Sequence, residues 1–132
     1  MIVLDTHALV WWVNGDSELS RAAALAVERE RKRQGEIVIS SISTWEIAML
    51  IQKERLVLSM DVETWLRTVA EVSGVRFVPV DNDVAVESTR LPGRFHKDPA
   101  DRLIVALART LSAPLVTSDR RIRRYRHVRT IW

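Results

Sequence analysis

Four acidic residues stand where short apolar segments end or helical patterns begin: Asp5, Glu46, Asp101 and Asp119. Asp5 follows Ile2-Val3-Leu4, and Asp119 follows Leu115-Val116-Thr117-Ser118. Glu46 lies just inside a helical pattern that comes after the strand-like Ile37-Val38-Ile39. Asp101 opens the apolar run Leu103-Ile104-Val105-Ala106-Leu107-Ala108. In an open α/β sheet the carboxyl ends of parallel strands share one edge, and ligands bind there. Carboxylates gathered at that edge repel one another unless a hard divalent cation sits among them. Mg2+ and Mn2+ prefer such oxygen ligands. The chemistry this arrangement would serve is metal-assisted hydrolysis of a phosphodiester.

Each acid also has a local role that would account for it alone. Asp5 can cap the helix that follows; if Thr6 is the cap instead, Asp5 is free to face the strand-end crevice. Ser43-Thr44-Trp45-Glu46 fits a capping box. In Asp98-Pro99-Ala100-Asp101, Pro99 suits the first helical position, with Asp98 as the cap and Asp101 near the positive helix end. Asp119 can be one more cap. Four independent caps need not all fall on one edge of one sheet, so their common placement beside strand ends and helix starts favours a shared site.

The elements that must hold these residues alternate between strand-like and helical patterns. That order predicts an α/β fold with a mostly parallel sheet, in one domain covering 1–132. Strands are expected at Ile2–Leu4, Ile37–Ile39, Val75–Val80, Leu115–Thr117 and Val128–Ile131, with Pro79 marking an edge position or a strand end. Helices are expected at Thr6–Val13, Arg21–Arg33, from Ser43 to about Glu54, from Asp61 to Gly74, Asp81–Leu91, from Asp98 to near Leu111, and Arg120–Tyr125. Val62, Trp65, Leu66, Val69 and Val72 are spaced for one apolar face. Arg29 to Arg33 reads as a solvated charged end, closed by Gly35. Adjacent Trp11 and Trp12 cannot both face one core, which makes one of them a candidate for an interface.

Charge is distributed unevenly over the 132 residues. Net charge is +3, yet Arg90 to Arg129 carries 11 basic and 3 acidic residues. The three acids are Asp98, Asp101 and Asp119, so the C-terminal part surrounds candidate metal ligands with a positive field. Such a field suits a polyanionic substrate. Cysteine is absent, which excludes disulfides, cysteine-ligated metal and thiol catalysis and agrees with a cytoplasmic location. No segment reads as a membrane span or a signal peptide.

Four segments in order resemble the PIN-domain ribonucleases, and among them the VapC-type toxins of bacterial and archaeal toxin–antitoxin pairs. They are Ile2-Val3-Leu4-Asp5-Thr6-His7-Ala8-Leu9; Ser41-Ile42-Ser43-Thr44-Trp45-Glu46-Ile47; Leu91-Pro92 with His96-Lys97-Asp98-Pro99-Ala100-Asp101-Arg102-Leu103-Ile104-Val105-Ala106; and Leu115-Val116-Thr117-Ser118-Asp119. The resemblance spans nearly the whole chain. It implies a three-layer α/β/α fold around a five-stranded sheet. It also implies a Mg2+- or Mn2+-dependent ribonuclease whose acids are Asp5, Glu46, Asp101 and Asp119. Asp5, Asp101 and Asp119 would be metal ligands, with Asp98 an additional acid at the site. Glu46 would orient or deprotonate the attacking water. Thr6 and Thr117 match hydroxyl positions lining the site, and Arg94, Lys97, Arg102 and Arg120 would hold flanking phosphates. Implied partners are RNA, a small VapB-type antitoxin and a second copy of the chain.

Other functions are less well matched. A structure-specific DNA nuclease would need a helical arch for which the chain has little room. A binding module without catalysis would not need the complete acid set. A phosphate-accepting receiver domain would want a late Lys after a strand, and no Lys follows Lys97.

Overall fold

The computed structural model describes every residue, Met1–Trp132. The elements are β1 (Ile2–Leu4), α1 (Thr6–Asn14), α2 (Arg21–Lys32), β2 (Ile37–Ser40), α3 (Ser41–Gln52), α4 (Val62–Ala70), β3 (Val75–Val78), α5 (Asn82–Thr89), α6 (Pro99–Thr110), β4 (Leu115–Val116), α7 (Arg120–Arg123) and β5 (Thr130–Ile131). The five strands form one sheet in the order β3-β2-β1-β4-β5, and every neighbouring pair is parallel. The chain therefore builds outward from β1 to one side, then returns and builds outward on the other. The order reverses between β1 and β4, and in open α/β sheets the crevice at the carboxyl ends beside such a reversal is where ligands bind.

Side-chain alternation along the inner strands divides the interior in two. Ile2, Leu4, Ile37 and Ile39 join Leu9, Val10, Val27, Ile47, Trp65 and Val69 in one core. Val3, Val38 and Leu115 join Val84, Ile104, Val105 and Ile122 in the other. Both faces are covered, so β1 and β2 are apolar without a polar face and wholly buried. Fully burying one such aliphatic side chain contributes about 1.5–3 kcal/mol, and the two cores fix the strand ends that carry the acids. At the outer edge, β3 stops at Val78, and Pro79 lies just beyond it, where a missing N–H disturbs no ladder.

Two local expectations are corrected. The end of α2 is not wholly solvated. Glu30 is buried, accepts a hydrogen bond from the Met1 ammonium at 3.0 Å, and pairs with Arg33 at 2.7 Å. The left-handed residue after α2 is Gln34, with φ 56°, and not Gly35. A Cβ at Gly35 would stand 1.9 Å from Glu30 Oε2, so any larger residue there would push the Glu30 carboxylate off its partners Met1 and Arg33. Trp12 packs on the first core, and the Trp11 ring lies 5.5 Å from His7 and 5.8 Å from Trp132, yet both indoles stay partly exposed. Trp45 is the more exposed indole, at 55%. No helix is long and apolar enough to cross a membrane.

Candidate active site

Asp5 takes both of the roles that its sequence context left open. Its backbone is extended (φ −69°, ψ 159°), as a helix cap requires, and Oδ1 accepts the Thr6 N–H at 2.8 Å. Oδ2 accepts the Thr117 hydroxyl at 2.6 Å, which ties the end of β1 to the end of β4. Burial raises the carboxyl above its ordinary range. The bonds from Thr117 and Thr6 and the nearby His7 oppose that rise, and the charge of Asp119 adds to it. A buried acid of this kind favours a proton or a cation beside it.

Glu46 is not part of a capping box. The cap of α3 is Ser40, whose hydroxyl accepts the Ile42 N–H at 3.2 Å. An earlier start moves Glu46 into the second turn and frees its side chain. Thr6 Oγ1 lies 2.5 Å from Glu46 Oε1 and 2.9 Å from Ser43 Oγ. A hydroxyl carries one proton; given to the carboxylate, it leaves Ser43 to donate to Thr6. The Glu46 carboxyl is pushed up to about 7, chiefly by burial, with the charges of Asp5, Asp101 and Asp98 acting in the same direction.

Asp98 caps α6, with Oδ1 accepting the Asp101 N–H at 3.0 Å, and Pro99 follows in the first turn. Asp98 itself is exposed at the rim. Asp101 is less accessible, and its Oδ2 lies 2.6 Å from His96 Nε2 and 3.6 Å from an Arg121 guanidinium nitrogen. Its carboxyl is pushed up to about 6 by burial and by Asp5, Asp98 and Asp119, against the His96 bond. Asp119 caps α7, with Oδ1 accepting from the Arg121 and Ile122 N–H groups. Its Oδ2 lies 3.6 Å from the same Arg121 guanidinium.

The four acids thus form one connected set at the crevice between β1 and β4. Thr6 links Asp5 to Glu46, Thr117 links Asp5 to the Asp119 backbone, and Arg121 links Asp101 to Asp119. No three of these side chains converge closely enough, as they stand, to enclose a metal ion. Their oxygens are turned toward Thr6, Thr117, His96 and backbone N–H groups. The donor set nevertheless fits a hard divalent cation: every candidate ligand is a carboxylate oxygen, and the acids raise one another's affinity for positive charge.

The PIN domain family matches residues 2–128. The chain belongs to this family. Ribonuclease VapC22 of Mycobacterium tuberculosis is 41% identical over 133 residues, covering 99% of this chain and 98% of that one. The fold is shared with a toxin–antitoxin complex from Klebsiella pneumoniae, at TM-score 0.66 and 20% identity, over 97% of this chain and 95% of that one. It is shared also with VapBC2 from Rickettsia felis bound to a promoter DNA fragment, at TM-score 0.68 and 19% identity, over 98% and 97%.

The basic residues of this PIN domain divide into two kinds. Arg94, Lys97 and Arg120 are exposed around the acid set, where phosphate contacts are open to them. Arg102 is not free in this way. Its guanidinium donates to the carbonyls of Ser88 at 2.7 Å, Phe95 at 3.1 Å and His96 at 3.2 Å. It clamps the loop before α6 and so holds His96 against Asp101, which corrects its assignment as a phosphate ligand. Arg121 belongs to a cluster of arginines after Asp119 whose charge suits phosphates, but here it bridges Asp101 and Asp119. Ser43 has the sequence context of a helix cap, and no local pattern marks His96 as the partner of Asp101.

Proposed function

We propose that this PIN domain is a metal-dependent endoribonuclease and the toxin of a VapBC-type toxin–antitoxin pair. The observation that carries the reading is Glu46. Its carboxyl is pushed up to about 7 beside three further acids at the switch point of a parallel sheet. A general base works best with a pKa near the operating pH. The name of the M. tuberculosis relative supports RNA as the substrate. Mg2+ or Mn2+ would be held by Asp5, Asp101 and Asp119, with Asp98 at the rim; when bound it would polarise the phosphoryl oxygen and acidify a water.

The chain's own residues supply the rest. Glu46, in its ionised form, accepts the proton of the attacking water as the new P–O bond forms; the scissile P–O bond breaks, and the leaving ribose oxygen keeps its electron pair and takes a proton from solvent. The Thr6 hydroxyl holds the Glu46 carboxylate in orientation, and Ser43 holds Thr6. Thr117 fixes the direction of Asp5. Arg94, Lys97 and Arg120 neutralise phosphates on either side of the cut.

A small antitoxin and a second copy of the chain complete this reading. The toxin–antitoxin assemblies among the structural neighbours support the antitoxin. Exposed Trp45, Val57 and Met60 offer apolar surface for either contact. Incubating the pure chain with RNA and with DNA, each with Mn2+ and with EDTA, tests the activity. Cleavage of RNA with Mn2+ alone is expected. Cleavage of DNA only would replace the reading with a DNA nuclease, and cleavage unaffected by EDTA would remove the metal. Light scattering checks the assembly, where a monomer at high concentration would remove the dimer.

A further inference from the structure

Arg124 stands between two cavities, and together they form a groove around α7. The inner cavity, about 280 Å3, is lined by Arg94, Phe95, His96, Arg121, Arg124 and Tyr125. The outer one, about 380 Å3, is lined only by Arg120, Arg123, Arg124 and Thr130. The inner end abuts the acid set, because His96 and Arg121 both touch Asp101. The outer end reaches β5, the sheet edge farthest from β3. One wall of the inner cavity is aromatic, with the Phe95 and Tyr125 rings 4.6 Å apart.

The charges in this groove are uncompensated. Arg94, Arg120, Arg123 and Arg124 make no ion pair with any carboxylate. Like charges gathered on one short helix repel, and an anion entering between them relieves that repulsion. Planar guanidinium groups match phosphate geometry. Through His96 and Arg121 the inner cavity adjoins the acids beside which a scissile phosphate would sit.

From this geometry we propose that the groove around α7 seats the phosphate backbone of single-stranded RNA, running from the acid set past Arg124 to Thr130. The proposal rests on the ribonuclease reading and adds a path and a direction to it. Arg121 marks the junction, since it faces the acids on one side and lines the groove on the other.

The test uses the full chain, a fluorescent oligouridylate, and a polyglutamate peptide of matched charge. Arg123 and Arg124 are exposed, so the double variant R123A/R124A should fold, which its melting curve checks. Its oligouridylate affinity should fall about tenfold at low salt. Its salt slope should drop by about 1.4, at ~0.7 for each phosphate no longer neutralised. Mn2+ affinity should not change. The control R29A/K32A removes the same charge from the end of α2 that lies by the Met1 ammonium, at the amino end of β1 and opposite the strand ends that carry the acids, and should leave the salt slope near that of the wild type. If R123A/R124A keeps wild-type affinity and slope while wild type cleaves RNA with Mn2+, the groove is not the path, although the ribonuclease reading stands. Loss of polyglutamate binding with RNA binding intact would make the groove a peptide site and overturn the proposal. A wild type that neither binds oligouridylate nor cleaves RNA would remove the ribonuclease reading first.

Discussion

The acid set and the arginine groove lie side by side and are built in opposite ways. The acids are drawn from the end of β1, α3, α6 and the β4–α7 turn; Asp5, Glu46 and Asp101 are each held by a side chain from another segment, and Arg121 of α7 bridges Asp101 and Asp119. Their environment raises the proton affinity of three of them. The arginines come mainly from one short helix and are mostly exposed without carboxylate partners. The difference follows from what each region has to do. Bond breaking needs atoms fixed to fractions of an ångström, and only packed elements supply that. Holding a polyanion needs a positive field, which flexible, hydrated side chains supply well.

Breaking the acid side should give the largest effect. Asp5→Asn preserves shape, because the amide oxygen still accepts from Thr6 and the Thr117 hydroxyl can accept from the new amide. RNA cleavage is expected to fall more than ~100-fold, beyond the usual loss for an outer-shell partner of a metal. The metal-free protein should melt higher, since a buried charge is removed. Asp101→Asn should likewise lose Mn2+ affinity. Full activity in both variants would dissolve the contrast between the two regions.

Arg102 tests the boundary between those regions from the basic side. Arg102→Ala leaves three carbonyls without their charged donor, and about 2–4 kcal/mol of stability should be lost. Denaturant unfolding measures it. The RNA-binding salt slope, measured below the melting range, should stay unchanged. A reduced slope with unaltered stability would return Arg102 to the groove.

The raised carboxyl values make the acid side sensitive to pH. Glu46 rises from 4.5 to about 7 and Asp101 from 3.8 to about 6 on folding. The folded chain therefore binds more protons than the unfolded chain between those limits. Stability of the metal-free protein should fall as pH rises from about 4 to about 7, then level off. With allowance for the solvent access of Glu46, the fall is on the order of 1–2 kcal/mol. Melting curves across that range check it. Glu46→Gln should remove the upper part of the slope, and Mn2+ should bind more tightly as pH rises. Stability that climbs with pH in the metal-free wild type would contradict this.

The smallest effect belongs to Asp98, which sits where acid set and solvent meet. Asp98→Ser keeps a cap for α6, and its cost should stay within ~0.5 kcal/mol. RNA cleavage should survive at a reduced rate. A dead Asp98→Ser beside an active Asp101→Asn would exchange the roles given to these two acids.

Much of this architecture could be read locally. The short apolar strands Ile2–Leu4 and Ile37–Ile39, the helix start at Asp61 and the Asp98-Pro99 start of α6 are properties of neighbouring residues, and the structure carries all of them. The parallel sheet followed from the alternation of element types. Asp5, Asp101 and Asp119 were legible because each lies beside an element end, whereas Glu46 sits in the second turn of α3. Tertiary structure decided what depends on distance through space. Asp5 caps a helix and faces the crevice at once because Thr117, 112 residues away, reaches its second oxygen. Glu46 leaves its capping box because Ser40 starts the helix earlier and Thr6 waits across the crevice. Arg102 and Arg124 look alike in sequence, yet one is bound to three carbonyls and the other lies open between two cavities. Periodicity and capping act over a few residues, so a sequence displays them directly. Which side chains share a hydrogen bond or a field is set only when the two cores bring distant segments together.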